Sequence, residues 1–194
     1  SPRDNNDVNS SWMCDQGRLD FHFVNSEFRL TDPMVRTGTK HEIVDWKKAV
    51  KEAATRLQEV PGAQTAIIAS GRMTNEELFF VKQLAATLGT DLIDVIPRTG
   101  GADNYLRADD LNPNSNGVRQ ILGCEPGSKL AQIQAGVKSG AIKSVIALGE
   151  NLLKAGFERA DLEGLRSLVS LHILANATAE LSHVVLAGSS YAEK

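Results

Sequence analysis

The fold of this chain is decided by residues 142–194, which read IKSVIALGENLLKAGFERADLEGLRSLVSLHILANATAELSHVVLAGSSYAEK. Three short runs in this stretch are rich in valine, isoleucine and leucine: Ser144–Leu148, Leu168–Ile173 and His183–Leu186. Short apolar runs are typical of strands that are buried on both faces. Polar segments that can form helices separate them. This repeated strand–helix–strand pattern predicts a parallel sheet with right-handed crossovers.

Gly149 directly follows the first run, where the backbone must turn sharply off the end of a strand. Ligands of open α/β sheets bind outside the carboxyl ends of the strands. The turn Gly149-Glu150-Asn151 is therefore the first place where we expect a ligand site.

The same pattern extends towards the N-terminus, where the sequence predicts further strands at Ala66–Ser70 and Leu92–Ile96. Together with Ser144–Leu148, Leu168–Ile173 and Val184–Leu186 they should form one sheet. The fold class predicted is α/β, with a mainly parallel Rossmann-like sheet, helices on both faces and an irregular N-terminal arm. Gly71 and Gly149 should lie at the same edge of this sheet, because both follow strand C-termini.

Three helices are predicted from capping residues and apolar periodicity. Asp45 should cap a helix from Trp46 to about Glu59. Thr74 and Glu77 fit a capping box for a helix that ends at Leu88 before Gly89. A third helix is expected over Ser128–Lys138.

The N-terminal part differs in composition, so we divide the chain into an arm, residues 1–40, and a Rossmann-like domain, residues 41–194. The arm is expected to lie across the surface rather than enter the sheet, held by the aromatic side chains of Phe21, Phe23 and Phe28.

The segment from Pro97 to Asn116 is dense in glycine, asparagine, aspartate and proline. A loop of this length inside a compact domain is usually functional, or derived from a functional one.

The composition excludes some partners. The formal net charge is −3 with no basic stripe, so nucleic acid is not an expected partner. No apolar run approaches the length of a membrane span, and direct membrane insertion is not expected. The two cysteines, Cys14 and Cys124, are far apart in sequence and are expected to be reduced thiols.

Four stretches, in order, carry a resemblance to a known family. They are Val8-Asn9 to Arg18 with Arg29-Leu30 and Pro33–Arg36; Ser70-Gly71 to Glu77; Asn112-Pro113-Asn114 with Asn116-Gly117; and Gly149-Glu150-Asn151 with Ala177–Glu180, Val184–Leu186 and Tyr191–Lys194. On these residues the chain resembles the G subunit of bacterial NADH:quinone oxidoreductase (respiratory complex I), within the molybdopterin-oxidoreductase superfamily.

The resemblance implies that the chain is a fragment of a larger subunit. In relatives, the cysteine at the position of Cys14 is the last of four ligands to an iron–sulfur cluster, and the other three lie upstream. Cys14 is therefore expected to be a metal ligand in the intact subunit only, because one thiolate does not hold such a cluster. Cys124 matches no motif and is expected to be a small apolar residue.

The resemblance also assigns cofactor-binding positions, with the turn Gly149-Glu150-Asn151 at the nucleotide part of the pterin in relatives. In this chain, any cofactor binding by these positions would be vestigial. They are Ser70, Gly71, Asn75, Glu76, Gly149, Glu150, Asn151 and Thr178. Helix capping alone explains Thr74 and Glu77, so the second stretch has a purely structural alternative.

Two departures from the family pattern predict a degenerate cofactor site. Catalytic relatives carry a cysteine, selenocysteine or serine just after an arginine, as a ligand to molybdenum or tungsten. This chain has Arg98-Thr99-Gly100-Gly101. Near His172 relatives carry an aspartate that binds a guanine edge, and His172 itself is expected to be a satisfied core histidine. No cofactor is expected in this fragment, molybdopterin included.

Three functional hypotheses follow. The first is a non-catalytic structural and interaction domain of an NADH dehydrogenase complex, which supports iron–sulfur electron transfer. Its partners are other subunits, and its location is cytoplasmic and peripheral to the inner membrane. The second is a domain of a catalytic molybdopterin oxidoreductase, such as a formate-dehydrogenase-like enzyme. The third is a free-standing nucleotide-binding module, although no G-x-G-x-x-G sequence follows a predicted strand.

Overall fold

The computed structural model describes residues 4–7, 10–13, 15–103, 105 and 107–193. Within these residues, seven strands form one sheet in the order β2-β1-β7-β6-β5-β3-β4. The five strands from β7 to β4 are parallel, and β1 and β2 add an antiparallel hairpin to the β7 side. The strands are β1 Met34–Thr37, β2 Lys40–Ile43, β3 Thr65–Ala69, β4 Ile93–Val95, β5 Ser144–Leu148, β6 Ser167–His172 and β7 Val184–Ala187.

Helices cover both faces of the sheet and connect its strands. They are α1 Asp15–Leu19, α2 Trp46–Gln58, α3 Asn75–Leu88, α4 Ser115–Gly117, α5 Leu130–Ser139, α6 Arg159–Glu163 and α7 Ala177–Leu181. Short 3₁₀ segments lie at His22–Asn25 and Gly62–Gln64, and a π-helical turn at Val118–Leu122 continues α4.

Two large apolar clusters form most of the core, one on each face, and a smaller third cluster contains Leu30, Ala179 and Val185. Side chains alternate along a strand, so β3 gives Ile67 to the cluster beneath α2 and α3, and Ile68 to the cluster beneath α5 and α6. All five residues of β3 are buried. This confirms the interpretation that the apolar runs are strands covered on both sides.

The predicted fold class is confirmed, with strand limits that differ from the prediction by about one residue. Asp45 caps α2 by accepting a hydrogen bond from the Lys48 N–H, at 2.8 Å. Thr74 and Glu77 form the predicted capping box of α3. Gly89 ends α3 in the left-handed conformation, with φ +68°. The predicted third helix begins two residues late, at Leu130.

The expectation that the arm stays outside the sheet is wrong at β1. Met34 and Val35 pair antiparallel with Val185 and Val184 of β7. Strand β1 also pairs along its whole length with β2, so the proposed division at residue 40 falls within a hairpin. Apolar alternation in the short run Met34–Thr37 was too weak a signal to predict this pairing.

The aromatic residues do not hold the arm as expected. Phe21 and Phe28 are 49% and 61% exposed. Phe23 is partly buried and packs edge to face on Tyr191, with ring centroids 6.0 Å apart. Main-chain bonds fasten the arm instead, from the Leu30 N–H to the Ile173 carbonyl at 2.9 Å and from the Ala175 N–H to the Phe28 carbonyl at 2.7 Å.

Arg29 reinforces this attachment. Its Nη1 donates to the carbonyls of Leu30 and Ile173, at 2.6 and 2.8 Å. Its Nη2 donates to the Gly188 carbonyl at 3.0 Å and to Glu193 Oε2 at 2.6 Å. One side chain therefore joins the arm, the end of β6 and the segment after β7.

Candidate functional site

At the carboxyl ends of β3 and β5, the connections that follow these two strands run in opposite directions along the sheet. From β3 the chain passes through α3 to β4 on one side, and from β5 it passes through α6 to β6 on the other. Ligands of open α/β sheets bind at such a point. We refer to the space between residues 70–72 and residues 149–151 as the switch-point crevice.

The two glycine turns meet at this edge, as predicted. Gly149 has φ +73°, and a Cβ at its position would lie 3.5 Å from the Cβ of Ser70. The Ser70 side chain is turned inwards, and its Oγ accepts a hydrogen bond from the Arg72 N–H at 3.2 Å. Ser70, Gly71 and Gly149 thus line one crevice.

An ion pair crosses the switch-point crevice. Arg98, in the loop after β4, donates through Nη2 to both carboxylate oxygens of Glu150, at 2.9 and 2.7 Å. Since β4 and β5 lie on opposite sides of β3, this pair passes over the end of β3. The Glu150 side chain is 4% exposed and the Arg98 side chain 27%. A carboxylate buried to this extent needs a charged partner, because burying an unpaired ion is costly.

Asn112 connects this ion pair to the rest of the loop. Its Oδ1 accepts from Arg98 Nη1 at 3.0 Å, and its Nδ2 donates to the Ile96 carbonyl at 3.2 Å. A Cβ on Gly71 would lie 2.6 Å from the Asn112 side chain. The glycine is therefore required for the close approach of Asn112, independently of any ligand.

Asn114 joins the loop to the start of α3. Its Nδ2 donates to the Met73 carbonyl at 2.7 Å and to Asn75 Oδ1 at 3.1 Å. Its Oδ1 caps α4 by accepting from the Gly117 N–H at 3.1 Å. A side chain at Gly117 would collide with Asn75. The second and third stretches of the resemblance therefore hold each other in place.

Asn151 and Thr178 form a second internal contact near the same edge. Thr178 is fully buried, and its Oγ1 accepts from the Leu152 N–H at 2.8 Å. The same hydroxyl lies 3.4 Å from Asn151 Oδ1. Glu76, in contrast, is exposed on the outer surface of α3 beside Phe79 and Phe80. The structure therefore does not bring Glu76 together with the crevice residues.

His172 ends β6 at this edge and is 3% exposed. Burial lowers its pKa to about 4, so the ring is neutral near pH 7. Its Nε2 is buried without a hydrogen-bond partner among the described residues. The expectation of a satisfied histidine is therefore not met at this atom among the described residues.

The loop position that carries a metal ligand in catalytic relatives offers no soft donor here, because Thr99, Gly100 and Gly101 have no thiol or selenol. A Cβ on Gly100 would lie 2.7 Å from the Arg107 guanidinium and 2.8 Å from a Leu111 methyl carbon. A side chain at this position would require the flexible ends of Arg107 and Leu111 to shift.

Cys14, the predicted iron–sulfur ligand, lies outside the described residues. Among those that are described, no group of three or more histidine, cysteine, aspartate or glutamate side chains could hold a metal ion. Cys124 is a free, partly buried thiol that packs against the core cluster beneath α2 and α3. Burial raises the pKa of this thiol.

No helix in the described part of the chain could cross a membrane.

Sequence reasoning missed the role of Arg98, which it treated only as the residue before the metal position. The available signal was Glu150, an acid in a turn directly after a buried strand. Such an acid requires a cation, but 52 residues separate it from Arg98, and periodicity does not predict contacts over that distance.

Residues 29–114, which contain β1 to β4 and the loop with Arg98 and Asn112, match the family model described as molybdopterin oxidoreductase. A curated protein is similar over a longer part of the chain. The G subunit of the NADH-quinone oxidoreductase of Streptomyces coelicolor is 30% identical over 154 residues, covering 78% of this chain. Over these residues the chain is similar to molybdopterin oxidoreductases and to a G subunit of NADH-quinone oxidoreductase.

Further proteins are also similar to this chain. The NADPH-Fe(3+) oxidoreductase subunit alpha of Geobacter sulfurreducens is 36% identical over 104 residues, 51% of this chain. The chain spans 17% of the Streptomyces relative and 12% of the Geobacter relative. Among solved structures, acetylene hydratase from Pelobacter acetylenicus matches 94% of this chain and 25% of its own, with 12% identity and a TM-score of 0.43. This structural likeness is too low to extend any argument about function.

Proposed function

We propose that this chain is a structural and interaction domain of the G subunit of an NADH:quinone oxidoreductase, with a degenerate molybdopterin site. The similarity to G subunits of two organisms supports the class of protein. The observation that carries the proposal is the ion pair between Arg98 and Glu150. It places two charged protein side chains across the switch-point crevice, the region that the resemblance assigns to a cofactor.

Molybdenum and tungsten need a donor that this loop does not supply. Soft metals favour thiolate or related ligands, and Thr99, Gly100 and Gly101 offer none. The ends of the Arg107 and Leu111 side chains lie beside Gly100. The residues present therefore do not fit a metal-bearing pterin.

The nucleotide end of such a cofactor also lacks its recognition group. An aspartate accepts two hydrogen bonds from a guanine edge, whereas a buried neutral imidazole accepts only one. The neighbouring polar groups of Asn151 and Thr178 are engaged with the protein itself. We infer that Ser70, Gly71, Asn75, Gly149, Glu150, Asn151 and Thr178 now stabilise the domain rather than bind a ligand.

The wider assembly is proposed on the resemblance. Cys14 would ligate an iron–sulfur cluster together with cysteines from another part of the intact subunit, and electron transfer would use that cluster. Other subunits of an NADH dehydrogenase complex would be the partners. The location proposed is the cytoplasmic side of the inner membrane, at its periphery.

A catalytic molybdopterin oxidoreductase is the second candidate. The 36% identity to a subunit of an NADPH-Fe(3+) oxidoreductase favours it, because that protein is named for an activity rather than for an assembly role. A domain of such an enzyme would retain the pterin even where a neighbouring segment supplied the metal ligand.

Cofactor analysis decides between these two candidates. The chain is purified from a host that synthesises molybdopterin, and molybdenum, tungsten and oxidised pterin fluorescence are measured per chain. The proposed function predicts background values for all three. Near-stoichiometric pterin with metal would establish the catalytic alternative, and pterin alone would show that the crevice still binds its nucleotide. A visible spectrum and iron analysis of the same sample should show no cluster, since one thiolate at Cys14 does not hold one.

A further inference from the structure

A groove of about 450 Å³ lies at the sheet edge opposite the switch-point crevice. It is bounded by the C-terminal ends of α5 and α6 and by the residues that lead into β5 and β6. Val137, Ile142 and Leu165 form its base and are almost fully buried. We refer to this feature as the basic groove.

Positive charge is concentrated in the basic groove although the whole chain carries a net charge of −3. Lys138, Lys143 and Arg166 line it, against a single acid, Asp161. Among the described residues, neither lysine forms an ion pair. Arg166 lies 3.2 Å from Glu59, but both side chains are at least 50% exposed. Exposed pairs of this kind neutralise little charge and contribute little stability.

The helix ends explain part of this charge but leave hydrogen-bonding groups unused. Cations near helix C-termini interact favourably with the helix dipole, so the lysines alone indicate no ligand. However, the carbonyls of Lys138, Ser139 and Gly164 accept no backbone hydrogen bond among the described residues. Free carbonyls repel a small anion, whereas the N–H groups of a polypeptide can donate to them.

We propose that the basic groove binds an acidic, extended segment of a partner protein. Carboxylates of the segment pair with Lys138, Lys143 and Arg166, while its main-chain N–H groups donate to the carbonyls at the ends of α5 and α6. This proposal rests on the proposed function as an interaction domain, and it names the chemistry of the partner. A nucleic acid is disfavoured because it offers phosphates but few donors to the free carbonyls.

A capped hexapeptide of alternating glutamate and alanine tests this proposal. Its titration into the chain should shift the amide NMR signals of Gly140, Lys143 and Gly164. The affinity should fall as salt rises, because exposed charges are screened. A peptide with lysine in place of glutamate should bind at least ten-fold more weakly.

Two triple variants make the test specific. K138E/K143E/R166E should weaken binding at least ten-fold. K47E/K48E/K51E changes three exposed lysines of α2, outside the groove, and should bind like the unchanged chain. Equal weakening by both variants would show that only net charge matters, and would overturn the proposal.

Citrate provides a second control, because it carries carboxylates but no N–H groups. At equal ionic strength it should not displace the peptide. Displacement by citrate, or shifts confined to residues outside the groove, would contradict the proposed recognition. If K138E/K143E/R166E failed to fold, the titrations with the lysine peptide and with citrate would still test the proposal. None of these results depends on the pterin analysis, so a failure here leaves the cofactor-free assignment separately testable.

Discussion

Arg98 is the residue whose removal should disturb the crevice most. Arg98→Met would leave the Glu150 carboxylate buried without its charged partner. Breaking a buried ion pair in this way costs about 3–5 kcal/mol, and we expect the lower end because Arg98 is partly exposed. Urea unfolding of both proteins measures the difference.

Arg119→Met is the matched control for that experiment. Arg119 pairs with Glu125 at 2.8 Å, but their side chains are 41% and 65% exposed. Exposed pairs contribute about 0–1 kcal/mol, so this change should have little effect. Equal losses for the two variants would contradict the structural importance of the Arg98–Glu150 pair.

Gly71 should be intolerant of a side chain because of Asn112. Gly71→Ala places a Cβ 2.6 Å from the Asn112 side chain and should cost about 1–3 kcal/mol through local displacement. Gly101→Ala serves as its control, since a Cβ there meets nothing within 4 Å. Thermal unfolding that ranks the two variants equally would argue against the tight contact.

His172 should make the stability of the fold depend on pH. Burial lowers its pKa to about 4, and the unfolded chain has the ordinary value of about 6.5. Between these values the unfolded state binds the proton more readily, so the free energy of unfolding should decrease as pH falls from about 6.5 to about 4. The total effect is about 3 kcal/mol. His183, whose pKa burial also lowers, acts in the same direction.

Unfolding measured at several pH values in the unchanged chain and in His172→Leu tests this. Between about pH 6.5 and 4, the free energy of unfolding of the variant should depend less on pH than that of the unchanged chain. The remaining dependence should come from His183. An unchanged slope would mean that the native state binds a proton at His172 as readily as the unfolded chain does.

At the scale of single elements, local signals predicted most of the structure. The capping box of α3, the Asp45 cap and the glycine at the end of α3 each involve residues within a few positions of one another. Their chemistry is readable from the sequence because it is local. Strand β5 was predicted at its observed limits, because a continuous apolar run with a following glycine identifies a buried strand.

The arm illustrates what local signals miss. Three phenylalanines suggested hydrophobic anchoring, yet the attachment depends on Arg29 and on main-chain hydrogen bonds to residues more than 140 positions away. The pairing of β1 with β7 is equally distant in sequence. A short strand whose partner is remote gives no periodic signal that distinguishes it from a surface loop.

Arg29→Met should loosen this attachment without unfolding the sheet. We expect faster amide hydrogen exchange at Leu30 and Ala175, and earlier proteolytic cleavage within the arm. Arg18→Met removes an exposed cation of the arm that pairs only with Asp15 among the described residues, and should leave both measurements unchanged. Unchanged exchange in Arg29→Met would show that the main-chain bonds alone hold the arm.

For the molecule as a whole, the order of motifs predicted the family and the parallel sheet, but not how the crevice is filled. Ser70, Gly71 and Gly149 were correctly placed at one edge, because parallel strands bring their carboxyl ends together. The ion pair over that edge depends on the path of the loop from Pro97 to Asn116. A loop path is set by tertiary contacts such as those of Asn112 and Asn114, which have no sequence pattern of their own.

The Arg98–Glu150 pair crosses the switch-point crevice, and we propose that this crevice no longer binds a nucleotide. Titration of the chain with a guanine nucleotide, followed by amide NMR, tests this proposal, because the resemblance assigns Gly149 and Asn151 to the nucleotide part of the cofactor. We predict no saturable shifts at Ser70, Gly71, Gly149 or Asn151 at millimolar nucleotide. Saturable shifts at these four residues would contradict the claim and show that the crevice still binds a nucleotide.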